Sequence, residues 1–263
     1  MQPCVWGNRL NLDRWVPYRS AEAVGCRVFC FPHAAGNATF YRPLRHVMPA
    51  DIDFCPIELP GRAARIGEPP VTDIDRLLDT LSRTIRPLMT VPFAFFGHST
   101  AACIAYQAAR KLRSAEGRRA VHLFVSARAA PDAARSDPPV GSLSDAALRT
   151  ALRRCTPDAV MAREELIAAL LPTMRADLAL AETCSVAGER VACPITVFGG
   201  AEDAIDVHSL KAWRGFTGAA FRLRLFAGGH FYLTEAGATL ADEMARDLAE
   251  SFGLAGGQMA EAG

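Results

Sequence analysis

The 263-residue sequence predicts an α/β fold around a mostly parallel central sheet, with helices on both faces. Three observations predict it. Short apolar, β-rich runs recur along the chain, helical spacing fills the stretches between them, and most runs are continuous rather than alternating, as strands buried on both faces should be. Half of the residues are hydrophobic and 22% are charged, enough to bury a sizeable core and too apolar for a disordered chain. The length fits a single domain over 1–263.

The first 20 residues show little periodicity and are expected to form a loose arm. Strand candidates follow at 27–31, 53–57, 93–96, 121–126, 194–198 and 221–226. Between the second and third, Ile74, Leu77, Leu78, Leu81, Ile85 and Leu88 follow helical spacing, and Thr72 with Asp75 reads as the capping box that starts the helix. From about 129 to 191 the strands stop, and helical patterns follow a Pro-rich opening, PDAARSDPPVGSLSD. This insertion is too short for an ordinary second domain. A lid fits it, since ligands of open α/β sheets bind at the carboxyl edge; the alternative is a helical layer that gates nothing. After the last strand, Leu240, Met244, Leu248 and Phe252 mark an amphipathic helix with Thr239 as its cap. A loose tail is expected over 254–263, so the core spans about 21–128 and 192–253. No internal repeat is visible.

Lys and Arg total 29 against 28 for Asp and Glu, a net charge of +1. Nucleic-acid binding is not expected from such a balance. No apolar run reaches the ~18 residues of a membrane span. The opening MQPCVWGNRLNLDRW lacks the layout of a signal peptide, so the expected compartment is cytoplasmic. None of the eight cysteines forms a CxxC or a Cys/His group with zinc spacing. Cys30, Cys55 and Cys103 lie inside apolar runs, where cysteine acts as a small hydrophobe. Reduced, structural thiols and no metal are expected.

The third strand runs directly into Gly97-His98-Ser99-Thr100-Ala101 and then a helix rich in small residues. Strand, sharp turn with serine at its tip, and helix make the setting of a nucleophile elbow. Small residues are needed two before and two after the serine because the helix lies close to the strand. The serine also sits at a helix N-terminus, whose dipole and free N–H groups favour a developing oxyanion.

A nucleophilic serine needs a base, and the base an orienting acid. Of six histidines, His46 and His122 fit surface or structural roles, whereas His230 follows Gly228-Gly229 just past the last strand. Asp203 follows the preceding strand, with Asp206 and Glu202 as rivals for the acid. The order Ser99, Asp203, His230 is that of α/β-hydrolases. After the first strand, Phe31-Pro32-His33-Ala34-Ala35-Gly36 is a turn of small residues able to direct N–H groups inward. One N–H from this turn and that of Thr100 would form an oxyanion hole.

The strings FCFPHAAGNATFYRPL, ELPGRAARIGEPP, FAFFGHSTAA, LPTMRADLALAET, ITVFGGAEDAI and FAGGHFYLTE resemble those of type II thioesterases, in the same order, from about Cys26 to Phe252. These are the stand-alone editing enzymes of polyketide and nonribosomal peptide assembly lines. The resemblance implies an α/β-hydrolase fold with Ser99 as nucleophile, Asp203 as acid, His230 as base and Ala34 and Thr100 as oxyanion donors. It also implies that the insertion is a lid over the acyl chamber. The family's usual elbow is GHSMG; this chain has Thr100 and Ala101 in its last two positions.

The expected activity is hydrolysis of aberrant acyl groups from carrier proteins bearing an acyl-phosphopantetheine, by a monomer without cofactor. A product-releasing thioesterase or acyltransferase, another serine esterase, and a silent α/β-hydrolase-fold binding protein are the alternatives. Leu166, Ile167, Leu170 and Leu171 form an apolar stripe in the insertion, with Leu170 expected to face the acyl chamber. Arg62 and Arg65, after the second strand, and Arg128, after the fourth, are candidates for docking an acidic carrier domain. Equally, they can pair with loop carboxylates such as Glu68.

Overall fold

In the computed structural model, residues 9–132, 143–153, 162–182 and 190–260 are described. Six strands, β1 (Cys26–Phe31), β2 (Ile52–Pro56), β3 (Phe93–His98), β4 (His122–Ser126), β5 (Ile195–Gly200) and β6 (Phe221–Phe226), form one sheet. All neighbours pair in parallel, in the order β2-β1-β3-β4-β5-β6. Each lies within two residues of an expected strand. The winding reverses between β1 and β3, so the carboxyl ends of these two strands flank the switch point where open α/β sheets bind ligands. The His33–Gly36 turn and the Ser99 elbow are the two loops that emerge there.

Among the described residues the α-helices are α1 (Arg9–Trp15), α2 (Arg42–Val47), α3 (Ile74–Ile85), α4 (Ala101–Lys111), α5 (Asp145–Arg153), α6 (Glu164–Glu182), α7 (Val207–Lys211) and α8 (Gly237–Ala260). Alternate strand residues feed two cores. Phe29, Phe95, Val125 and Val197 pack with α3, α4 and α7, whereas Val28, Phe96, Phe124 and Phe198 pack with α2 and α8. A third apolar cluster joins the insertion to the switch point: Leu148 of α5 and Ile167, Leu171 and Met174 of α6 surround Ala34. Most of the Pro-rich opening of the insertion lies outside the described residues.

Four expectations are corrected. The N-terminal arm is not loose from 9 onward: α1 delivers Trp15 and Val16 into the core, and the Trp15 carbonyl accepts the Glu58 N–H at 2.8 Å. Seven residues are too few to display a helical period, but one buried indole supplies a large apolar anchor. Asp73, not Thr72, caps α3, its carboxylate accepting the Arg76 N–H at 3.0 Å. Thr239 lies inside the first turn of α8, since the Leu240 N–H already bonds the Ala236 carbonyl. Finally, α8 runs to Ala260, beyond the last apolar repeat at Phe252, because a helix already nucleated on packed residues elongates cheaply.

Among the described residues, Cys26, Cys30, Cys55, Cys103 and Cys193 are buried thiols outside any disulfide. Among the described residues, no helix is long and apolar enough to cross a membrane.

Candidate active site

The elbow at the end of β3 is tight. Ser99 adopts φ 58°, a left-handed conformation that costs an L-residue roughly 1–2 kcal/mol. It is held because the Ser99 N–H donates to the Ser126 carbonyl of β4 at 2.8 Å while α4 starts two residues later. Gly97 has no alternative: a Cβ there would lie 2.3 Å from the Ala101 carbonyl oxygen.

His230 reaches this serine from the loop after β6, its Nε2 3.0 Å from Ser99 Oγ. Its Nδ1 lies 2.8 Å from Asp203 Oδ2 in the loop after β5. The two loops are laced together, Ala201 N–H to Phe226 O at 2.8 Å and Glu202 N–H to Gly228 O at 3.0 Å. The Asp203 side chain is 5% exposed against 30% for that of His230, so the carboxylate is shielded while the imidazole is partly open. Asp206 is occupied elsewhere. It caps α7 by accepting the Ser209 N–H at 2.8 Å and the Ser209 hydroxyl at 2.7 Å, which hold its carboxyl below the usual range. Glu202 is exposed. The structure therefore brings Ser99, His230 and Asp203 together, and neither rival acid.

Opposite the elbow, four polar backbone groups of the His33–Gly36 turn are committed. The Gly36 N–H donates to the His33 carbonyl at 2.8 Å, and the Gly36 carbonyl accepts from Arg62 Nη1 at 3.0 Å. Ala35, at φ 58°, donates its N–H to Asp177 Oδ2 at 2.8 Å. Among the described residues, the Ala34 and Thr100 N–H groups have no protein acceptor. Backbone donors are rarely left unpaired inside a fold, and a pair of them beside a serine is what a developing oxyanion requires. The Thr100 hydroxyl is likewise buried and unpartnered.

Two buried imidazoles, His98 and His33, lie near His230. The His98 ring lies 5.2 Å from that of His230, with Nδ1 2.9 Å from Ser126 Oγ, itself 2.6 Å from the Tyr232 hydroxyl. Burial, then the proximity of His230, holds the His98 pKa well below its ordinary value. His33 sits edge-on to Phe40 and Phe231, and burial first, then His230, lowers it to about 3. The turn also needs Gly36, where a Cβ would fall 2.7 Å from the His33 ring. His122 is a core residue between Ser251 and Thr196.

The docking role of Arg62 and Arg65 is overturned by burial, at 2% and 1% exposure. Arg65 forks onto Glu68 at 3.0 and 2.6 Å, donates to the Glu58 carbonyl at 2.8 Å and lies over the Trp15 ring at 4.1 Å. Arg62 forks onto Asp177 at 2.7 and 2.8 Å. A guanidinium reads as a surface group in sequence, yet forked onto a carboxylate and bonded to carbonyls it can sit inside. Arg128 is half-buried, its carbonyl accepting the Trp213 Nε1–H at 2.8 Å. Leu170 is half-buried at the edge of the cluster around Ala34. Asp177 has no expected role from sequence. The available signal was Thr173 and Asp177, one turn apart among the apolar residues of α6.

Residues 26–252 match the sequence model of the thioesterase domain family. The gramicidin S biosynthesis protein GrsT of Aneurinibacillus migulanus is 36% identical over 243 residues, covering 90% of this chain and 95% of that protein. Thioesterase PikA5 of Streptomyces venezuelae is 31% identical, covering 86% of this chain and 83% of its own. Among solved structures, the type II thioesterase BorB from the borrelidin biosynthetic cluster superposes with a TM-score of 0.79 at 36% identity, covering 90% of this chain and 98% of that one.

Proposed function

The chain belongs to the thioesterase family, and on that premise we propose that it clears acyl groups from the phosphopantetheine thiols of carrier proteins in a polyketide or nonribosomal peptide assembly line. The observation that carries the reading is the hydrogen-bond chain Ser99–His230–Asp203 facing two unpaired backbone N–H groups.

The chemistry follows from that geometry. His230 Nε2 accepts the Ser99 hydroxyl proton as Oγ bonds the thioester carbonyl carbon. The carbonyl oxygen takes the negative charge and is held by the Ala34 and Thr100 N–H groups. The Asp203 carboxylate, 2.8 Å from Nδ1 with its side chain covered, stabilises the imidazolium that forms. When the carbon–sulfur bond breaks, the imidazolium proton goes to the departing thiolate and leaves an acyl-serine. Water, deprotonated by the same Nε2, adds to the acyl carbon; collapse breaks the carbon–oxygen bond and returns the proton to Ser99, freeing a carboxylic acid.

The insertion acts as the lid, with the apolar side chains of α6 around Ala34 receiving the acyl chain. Of the three arginines, Arg128 keeps a place for an acidic carrier domain. The relatives named above, a gramicidin S biosynthesis protein and a thioesterase of a borrelidin cluster, support this setting. Intact-mass analysis after mixing with a panel of acyl carrier proteins tests it. A transient mass gain equal to the acyl group, mapped to Ser99 and absent in Ser99→Ala, is expected. Labelling of any other residue, or faster turnover of acyl-coenzyme A than of every acyl carrier, would refute the proposal.

A further inference from the structure

The oxyanion turn and the insertion are joined by a buried ion pair that the reaction itself does not use. Asp177 and Thr173 lie one turn apart on α6, both buried. Thr173 donates its hydroxyl proton to the Gly61 carbonyl at 2.7 Å, fixing α6 against the loop that carries Arg62. One turn on, Asp177 takes the Arg62 fork through both carboxylate oxygens, and its Oδ2 also accepts the Ala35 N–H at 2.8 Å. Arg62 closes the circuit on the Gly36 carbonyl at 3.0 Å. Two peptide groups of the turn are therefore held by one charge pair that is 2–3% exposed and bridges from 115 residues away in sequence.

A buried pair of this kind is a poor device for stability, because desolvating both charges offsets most of their attraction. It does fix direction. Ala35 stands at φ 58°, a conformation any loosening would relax, and the Ala35 N–H bond to Asp177 sets the peptide plane immediately after Ala34. With the Gly36 N–H on the His33 carbonyl and the Ala35 N–H on Asp177, the Ala34 N–H just before them has no protein acceptor among the described residues.

We propose that Asp177 is a positioning residue: through Ala35 and Arg62 it aims the Ala34 N–H at the reacting carbonyl and makes the insertion helix part of the oxyanion site. The inference rests on the reading of Ala34 as an oxyanion donor. Its consequence is that α6, which also carries the apolar chamber residues Ile167 and Leu171, cannot shift without disturbing the oxyanion turn.

The test uses two variants of the full chain. Asp177→Asn is isosteric and keeps one acceptor oxygen, but sets an N–H against the guanidinium. The double variant Asp177→Leu/Arg62→Met removes both charges and leaves neither unpaired. Both are assayed with a short acyl N-acetylcysteamine thioester and with a trifluoromethyl ketone analogue, which needs the oxyanion donors to bind. The expected result is a kcat lower by ~10-fold in Asp177→Asn and ~10²-fold in the double variant, KM within threefold, and ketone inhibition weakened in parallel, since one lost oxyanion donor costs on the order of 10²–10³. Unchanged kcat in Asp177→Asn would overturn the proposal, as would a loss of kcat in either variant with ketone affinity intact. If the wild type is not labelled at Ser99 by a fluorophosphonate, the underlying serine mechanism fails instead. Labelling at Ser99 with no effect at Asp177 confines the failure to the positioning role.

Discussion

Gly200 is where the acid loop and the base loop collide, and replacing it with alanine should damage catalysis far more than folding. A Cβ at 200 would lie 2.2 Å from the Gly229 carbonyl oxygen, 2.5 Å from that of Gly228 and 2.8 Å from the Gly229 carbonyl carbon. These are backbone atoms, and ordinary contact begins near 3.4 Å, so the segment immediately before His230 must retreat by more than about 1 Å. Misplacement of that size costs on the order of 10²-fold in rate, because the His230 bonds to Ser99 and Asp203 lengthen together. The overpacking itself costs ~1–3 kcal/mol, a few degrees of melting temperature in a chain of this size. Gly199→Ala is the control. Its Cβ meets Leu210 Cδ1 at 2.6 Å and Leu225 Cδ2 at 3.2 Å, the far ends of side chains that can rotate away, and neither belongs to the triad. The assay is kcat/KM on an acyl N-acetylcysteamine thioester alongside thermal melting for both variants. Gly200→Ala retaining kcat/KM within threefold of wild type, or Gly199→Ala losing more activity than Gly200→Ala, would refute the reasoning.

Three further outcomes are expected. Asp203→Asn should keep the fold and lower kcat by about 10⁴-fold through the wrong imidazole tautomer, whereas Asp206→Asn should cost only part of a helix cap, ~1 kcal/mol or less; equal rate losses would move the acid to Asp206. Stability should fall in acid, because burial holds His33 at about 3, His122 at about 4 and His98 well below its ordinary value. The unfolded chain protonates them near 6.5, so their contribution is complete above that pH and is lost as the pH falls toward the folded values, by up to ~1.4 kcal/mol per unit for each. His122→Phe leaves Ser251 and Thr196 bonded to Asp247, so its melting temperature should decline less steeply between pH 6 and pH 4; an unchanged slope would count against the assignment. Leu170→Trp, at the edge of the cluster around Ala34, should shift preference toward shorter acyl thioesters, and a uniform loss for all chain lengths with a lower melting temperature would mean it only packs the insertion.

The sequence by itself determined the six strands and the strand-end positions of Ser99, Asp203, His230 and Ala34. Such features are local: a continuous apolar run, a small-residue turn after it and a helical period all lie within about a dozen neighbouring residues. It left open which of three acids serves His230, because all three share one short loop and only the lacing of that loop to the segment after β6 selects Asp203. It left Arg62 and Arg65 between carrier docking and pairing with a loop carboxylate such as Glu68, and burial decided for pairing. Arg62 finds Asp177 115 residues on, and Arg65 is covered by the Trp15 ring of a segment expected to be loose. The bond from Asp177 to the Ala35 N–H spans 142 residues and leaves no periodicity in either segment. Pairings of that range are decided only when the sheet order brings β1 and the loop after β2 beneath α6, because burial of a charge is a property of what surrounds it and not of its own stretch of chain.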